Sequence, residues 1–510
     1  MDKKKLTINL ITSVIAFILN IGINFFLTPY IVGSIGVEAY GFVALGANFI
    51  GYVSLVTIAL NSMAGRFITI EIHKENWEAA NTYFSSVFIA NIIAIGVISI
   101  PSILFIFFVD QIINVPEQLL RDVKILFVLL FMGFIVSILL STFGVATFVK
   151  NKLYLQSLRK MEATFIQAII LLILFICFEP VVSFVGFAGL IAGLYMLYFS
   201  VYYTNKLLPE IKIRKAHFNY IAVKELISSG IWNTITRLGL LLLDGLDLLI
   251  ANMFISVAAM GTLAIAKTFP SLTISLVGII AGVFMPDFTR LFALNKSEDL
   301  LKAIKNSMKL LGIVISLPLA ILVSFGYDFF SLWVPTQDAR LLQILSILTI
   351  ATIIVSGPIN SIYGIFTVTN KLKANSMILI FTGLLNVAIV FILLKTTSLG
   401  LYAVAGVSSV LGILRNLFFT APFGAKYLDL KWYTFFPEIA KAVIAFLIAS
   451  SIGLSINYFF DVNDWFGLFL FAGITAILGL LVNTFVILDK QEREHAIYLI
   501  KNKVSLKKGG

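Results

Sequence analysis

The sequence predicts an all-α integral membrane protein of about fourteen transmembrane helices: two parallel-repeat six-helix lobes plus a C-terminal helix pair. Three observations carry this. Hydrophobic residues make up 60% of the 510, charged residues only 12%, and the mean hydropathy is +1.02, whereas a soluble chain carries about 25% charged residues. The apolar residues come in runs of about 20 or more, enough to cross a bilayer as helices. Finally, parts of the first half of the chain recur in the second at an offset near 220.

The spans fall at 8–32, 40–62, 83–108, 123–149, 161–178, 181–203, 227–254, 259–285, 308–334, 341–368, 376–394, 399–421, 436–458 and 465–488. The first follows the basic start MDKKK, as in a signal peptide, but its run is too long and no small-x-small pattern follows, so it reads as a retained helix. Even parity puts both termini on one side. The segments 150–160, 205–226 and the tail share that side and are rich in Lys and Arg; the opposite loops 110–122, 335–340 and 459–465 hold few. The positive-inside rule then makes both termini cytoplasmic. It also accounts for the net charge of +11 without a nucleic-acid partner. Residues 63–80 and the tail are amphipathic and are expected as surface helices at the headgroups, or as partner-binding helices.

The repeat sets the domain plan. IGVEAYGFVALGANF (35–49) matches ISVAAMGTLAIAKTF (255–269) at Ile35/Ile255, Val37/Val257, Ala39/Ala259, Gly41/Gly261, Ala44/Ala264 and Phe49/Phe269. VKNKLYLQS (149–157) matches VTNKLKANS (368–376), and GFAGLIAG (186–193) echoes GLYAVAGV (400–407). The plan is therefore an N-terminal lobe 1–205, a basic linker 206–226, a second lobe 227–421, a helix pair 422–488 and a tail 489–510. Repeats of six helices share topology, and transporters of that plan bind substrate between the halves.

The passage TPYIVGSIGVEAYGFVAL (28–45), its echo in the second lobe and the two Asn-Lys-Leu loops resemble the polysaccharide flippases. These are the Wzx-like branch of the multidrug/oligosaccharidyl-lipid/polysaccharide (MOP) exporter superfamily. The resemblance covers residues 1 to about 421, and its motifs mark the fold rather than a substrate. It implies a MATE/MurJ-like MOP fold working by alternating access in a bacterial plasma membrane. The cargo it implies is an undecaprenyl-pyrophosphate-linked oligosaccharide for capsule, O-antigen or exopolysaccharide, with the lipid bilayer and other polysaccharide-assembly membrane proteins as partners. A lipid II flippase and a sodium- or proton-coupled drug or metabolite exporter share the fold and stay open.

Charges inside the spans are few, and the five that stand out, Arg237, Asp244, Asp247, Lys267 and Arg415, all lie in the second lobe. Asn233, Arg237, Asp244 and Asp247 share an arc of roughly 80° on one helix. A charge at the bilayer centre costs about 2.5–3.5 kcal/mol on the insertion scale, so these residues are not expected to face lipid. Arginine presents planar paired donors to phosphate oxygens. The pyrophosphate contacts are thus Arg237, Arg415 and Lys267, with Arg66 and Arg290 at equivalent places past the ends of the second and eighth spans. Asp244, Asp247 and Asn24, the repeat partner of Asp244, are the coupling or charge-neutralising set. The competing reading makes Arg237–Asp244 and Lys267–Asp247 fixed ion pairs between helices, and Arg66 and Arg290 topology anchors. Glu38 and Tyr40 are read as turn residues or sugar contacts, and Gly189 and Gly193 as close helix packing.

The exclusions are equally concrete. Cys177 is alone, and His73, His217 and His495 lack metal-ligand spacing, so no disulfide, metal or cofactor is expected. There is no Walker loop, no dinucleotide fingerprint and no water-facing catalytic set. Neither an enzyme nor a polymerase of the same pathway, which needs a large outer catalytic loop, fits.

Overall fold

The computed structural model describes residues 3–369 and 371–494, and all regular structure among them is helical. Thirteen of these helices are long and apolar enough to cross a membrane. The first, Lys3–His73, has 71 residues, about twice what a bilayer needs. Gly36 breaks it, with φ 84° and ψ 164°, a conformation that only glycine adopts freely. Its arms are α1 (3–35) and α2 (37–73), which accounts for the fourteen expected spans.

The others are α3 (Trp77–Phe107), α4 (Glu117–Val149), α5 (Leu153–Cys177) and α6 (Ser183–Leu207). Next come α7 (220–254), α8 (Val257–Ala293), α9 (Ser297–Trp333), α10 (Ala339–Val368), α11 (Leu372–Thr396) and α12 (Leu401–Lys426). The last two are α13 (Phe436–Phe459) and α14 (Trp465–Ile487). Side-chain caps set several starts: Asn76 accepts from Ala79 N, Asn219 from Ile221 N, Asp338 from Arg340 N and Leu341 N, and Asp464 from Gly467 N.

One expectation is corrected. Residues 63–73 form no separate surface helix but continue α2, and Lys74–Asn76 turn directly into α3. The cause is packing: Ile68 and Ile72 are buried against Ala80, Phe84, Leu208 and Leu226. Of the tail, residues 495–510, with His495, lie outside the described residues.

The chain divides into two compact units. The first runs to Ala264 and includes Leu379–Leu384; the second holds Ile265–Ile378 and the rest from Leu385. In the first unit α7 packs along α2, where a Cβ at Gly230 would lie 2.0 Å from Ala59 O. The repeat-matched glycines Gly41 and Gly261 touch: a Cβ at Gly261 would stand 2.2 Å from Val37 O, and one at Gly41 2.9 Å from Gly261 Cα. A buried amide relay joins α2, α3 and α4, with Asn91 Nδ2 donating to Asn61 Oδ1 (2.9 Å) and Thr142 Oγ1 (3.0 Å). Gly193 lies on Val136 of α4, and Gly189 near Gln167 of α5.

In the second unit α9 is the central helix, with 61% of its most apolar stretch buried. Its Ile304 and Met308 join Ile359, Ile362, Phe366 and Phe435 in the main core. The C-terminal pair α13–α14 packs on the same helix through Ile313, Ala445 and Ile487. There Asn483 Nδ2 donates to Ser316 Oγ at 2.6 Å. At the end of α14, Lys309 Nζ reaches both oxygens of Glu492 at 2.8 Å, and Lys441 lies 3.4 Å from Asp489.

Candidate functional site: two helices interrupted at their charges

Among the described residues two helices carry a π-helical turn, and both turns fall at charges singled out by the sequence. An i→i+5 turn widens the helix and releases backbone groups, and such turns recur at functional sites.

In the first unit the π turn is Leu241–Gly245 of α7, which contains Asp244. The Gly245 carbonyl is taken by two side chains of α2, Tyr52 Oη and Asn48 Nδ2 (3.1 Å). One and two turns earlier the polar stripe lies along α2 as well. Asn233 Nδ2 donates to Ser62 Oγ at 3.1 Å. The Arg237 guanidinium stands 4.0 Å from where a Cβ on Gly51 would be, so the missing side chain leaves it room. Arg237 is exposed and makes no ion pair among the described residues, so the expected Arg237–Asp244 pair is not formed. Asp244 is exposed and Asp247 is buried.

In the second unit the π turn is Asn416–Thr420 of α12, directly after Arg415. Arg415 Nη2 donates to Tyr363 Oη at 2.7 Å, and Tyr363 Oη donates to Asn416 Oδ1 at 2.7 Å. Thr420 Oγ1 donates to the same oxygen at 3.0 Å. This chain fixes the Asn416 amide with its oxygen fully engaged. Arg415 Nε and Asn416 Nδ2 are left buried without an acceptor among the described residues. A buried unsatisfied donor costs about 1–3 kcal/mol. Two such donors fall on consecutive residues, one of them in the Arg415 guanidinium itself.

Lys267 is half-buried at a break in α8, between Val257–Ala266 and Thr268–Ala293, where Ser346 Oγ donates to the released Ala266 carbonyl at 2.7 Å. Arg66 is exposed on α2. Arg290 is exposed on α8 and paired with Asp287 at 3.2 Å. Asn24 is exposed and returns its amide to Asn20 O at 2.8 Å. Tyr40 lies in the first turn of α2, not in a loop, and packs against the cluster of Ile31, Leu171, Phe175 and Ala188.

Sequence reasoning missed two groups. Tyr363 and Asn416 are uncharged, and Tyr363, 52 residues from Arg415, meets both Arg415 and Asn416 only in space. Arg159 was placed in a loop but lies inside α5, bonded to Glu162 (2.6 Å), Tyr203 Oη (3.1 Å) and Tyr195 Oη (3.2 Å), with its guanidinium 4.2 Å from the Phe199 ring centre. The Arg159/Glu162 spacing and the aromatic run YMLYFSVYY (195–203) were the available signals.

This helical plan is that of the MOP-superfamily transporters. The chain superposes on the lipid II flippase MurJ in an inward closed conformation with a TM-score of 0.66, at 15% identity, covering 93% of this chain and 97% of MurJ. An inward-facing multidrug resistance MATE transporter gives 0.64 at 15% identity, covering 81% and 94%. A MOP superfamily transporter from Pyrococcus furiosus Vc1 (DSM3638), described by a reverse polarity of its binding pocket, gives 0.59 at 13%, covering 82% and 95%. No family model matches the chain. The "uncharacterized membrane protein EpsK" of Bacillus subtilis (strain 168) is 30% identical over 491 residues, 96% of this chain and 97% of EpsK. The chain belongs to the family of this EpsK membrane protein.

Proposed function

We propose that the chain is a flippase that moves undecaprenyl-pyrophosphate-linked oligosaccharide repeat units from the inner to the outer leaflet of a bacterial plasma membrane. Its two six-helix lobes, 1–205 and 227–421, alternate in access, and both termini are cytoplasmic. The product feeds capsule, O-antigen or exopolysaccharide synthesis.

One observation carries the reading: the acceptor-less Nε of the Tyr363-held Arg415 guanidinium and the acceptor-less Nδ2 of Asn416 beside it, both buried. They ask for a polyanion, and a pyrophosphate that must leave water offers the oxygens. Arg237, a membrane-embedded arginine with no ion pair among the described residues, is suited to the same chemistry. Lys267, Arg66 and Arg290 are secondary contacts, and Asp244, Asp247 and Asn24 neutralise or couple. The extent of the likeness to MurJ, 93% of this chain against 81–82% for the MATE transporters, favours a lipid-linked cargo over a drug. A cationic site also suits an anionic cargo better than a cationic drug.

The test is deletion of the gene followed by analysis of lipid-linked intermediates. Their accumulation on the cytoplasmic face is expected. Normal intermediates with raised drug sensitivity would replace the flippase by an exporter.

A further inference from the structure

The linker between α6 and α7 is a rigid strap. Leu208 and Ile211 are buried as pegs in the core of the first unit. Between and beyond them the backbone is bonded to three buried side chains of α3. Asn81 Nδ2 donates to Glu210 O (3.1 Å), and its Oδ1 accepts from Lys212 N (2.6 Å). Ser85 Oγ donates to Lys212 O (3.4 Å) and accepts from Arg214 N (3.3 Å), while Ser86 Oγ accepts from Asn219 N (2.9 Å). Every one of these contacts uses the linker's backbone. The side chains of Lys212, Arg214 and Lys215 are exposed and take no part in holding the strap.

Two kinds of surface follow. Lys212, Arg214 and His217, with Asn81, Pro209 and Glu210, line a cavity of about 460 Å³. Flanking it, Ile213, Phe218, Tyr220 and Ile221 are exposed, the last two at 71% and 72%. Cations alone would suit any soluble phosphate. Cations set among exposed aliphatic and aromatic groups on a membrane protein suit an interface, where the apolar groups enter the acyl boundary and the cations meet headgroups. Because the strap is already ordered, little conformational entropy is lost when a headgroup docks.

We infer that Lys212 and Arg214 in the cavity, with the exposed Lys215 that follows them in the linker, form a binding site for the phosphate of an anionic membrane lipid. The site depends on neither the cargo nor the transport cycle, so its failure leaves the flippase reading untouched, and the reverse holds too.

The test uses the purified full chain in neutral detergent, with thermal stability and ligand affinity as readouts. Dioctanoyl-phosphatidylglycerol is expected to raise Tm, whereas dioctanoyl-phosphatidylcholine and inorganic pyrophosphate do not. The triple variant Lys212→Ser, Arg214→Ser, Lys215→Ser should keep its ligand-free Tm, because the strap is held through backbone groups. It should bind phosphatidylglycerol about 100-fold more weakly, at the usual contribution of each interfacial cation. Lys296→Ser, a basic residue of the α8–α9 turn, should bind as the parent does. An equal loss in Lys296→Ser, an equal Tm rise with phosphatidylcholine or pyrophosphate, or no effect of the lipid at all would each overturn the site.

Discussion

Gly261→Ala is the sharpest test of the packing that places α7 and α8. The added Cβ would lie 2.2 Å from Val37 O, 2.7 Å from Val37 C and 2.9 Å from Val37 Cγ2. Two of these atoms are backbone, so no rotamer change relieves the contact. Reaching ordinary contact needs a separation of about 1 Å between the two backbones. Overpacking of this kind costs typically about 1–3 kcal/mol and occasionally more. Gly278→Ala is the control: a Cβ there meets nothing within 4 Å, and alanine is favoured over glycine in a helix by about 1 kcal/mol. Melting followed by size-exclusion of the detergent-solubilised protein should put Gly261→Ala below the parent and Gly278→Ala at or above it. Equal melting of the two variants would refute the close approach of Gly41 and Gly261.

Three further outcomes are expected. Arg237→Ala should leave membrane insertion and melting unchanged, since the side chain has no ion pair among the described residues, yet abolish transport; loss of the protein from the membrane would instead mark a structural role. Asn91→Ala should lower stability by about 1–3 kcal/mol, because Asn61 and Thr142 lose their buried partner; an unchanged melt would contradict the relay. The Asp489 carboxyl is held below its usual range by Lys309 first and Lys441 second. Its stabilising contribution is therefore present above the ordinary carboxylate range and is lost as pH falls through the depressed value. The melting difference between the parent and Asp489→Asn should be flat from pH 5 to 8 and close only below about pH 4; a difference that changes between pH 6 and 8 would contradict the assignment.

The fold was legible in the sequence because a bilayer leaves few options: long apolar runs must be helices, and backbone groups must be satisfied within them. The boundary between α1 and α2 was not. The sequence reads 33–39 as a loop, but one glycine suffices to turn the chain, and helix persists on both sides of Gly36. Residues 63–73 looked like a surface helix because their charges alternate with apolar groups; the apolar face is spent on α3 and the linker instead. In the site, Arg237 and Arg415 stood out as charges that lipid would reject. Their surroundings did not, since Tyr363 and Gly51 reach them only through the fold. Neither π turn was legible: LLLDG (241–245) and NLFFT (416–420) each lie beside or contain a charge, but nothing in their residue spacing distinguishes a π turn from an α turn.

The most direct measurement reconstitutes the parent, Arg415→Ala and Arg415→Lys in vesicles bearing a fluorescent undecaprenyl-pyrophosphate oligosaccharide, and follows its exposure to an impermeant quencher. The account predicts transbilayer movement with the parent, none with Arg415→Ala, and little with Arg415→Lys, whose point charge cannot replace a planar guanidinium held by Tyr363. Movement by Arg415→Ala at the parent's rate would contradict it.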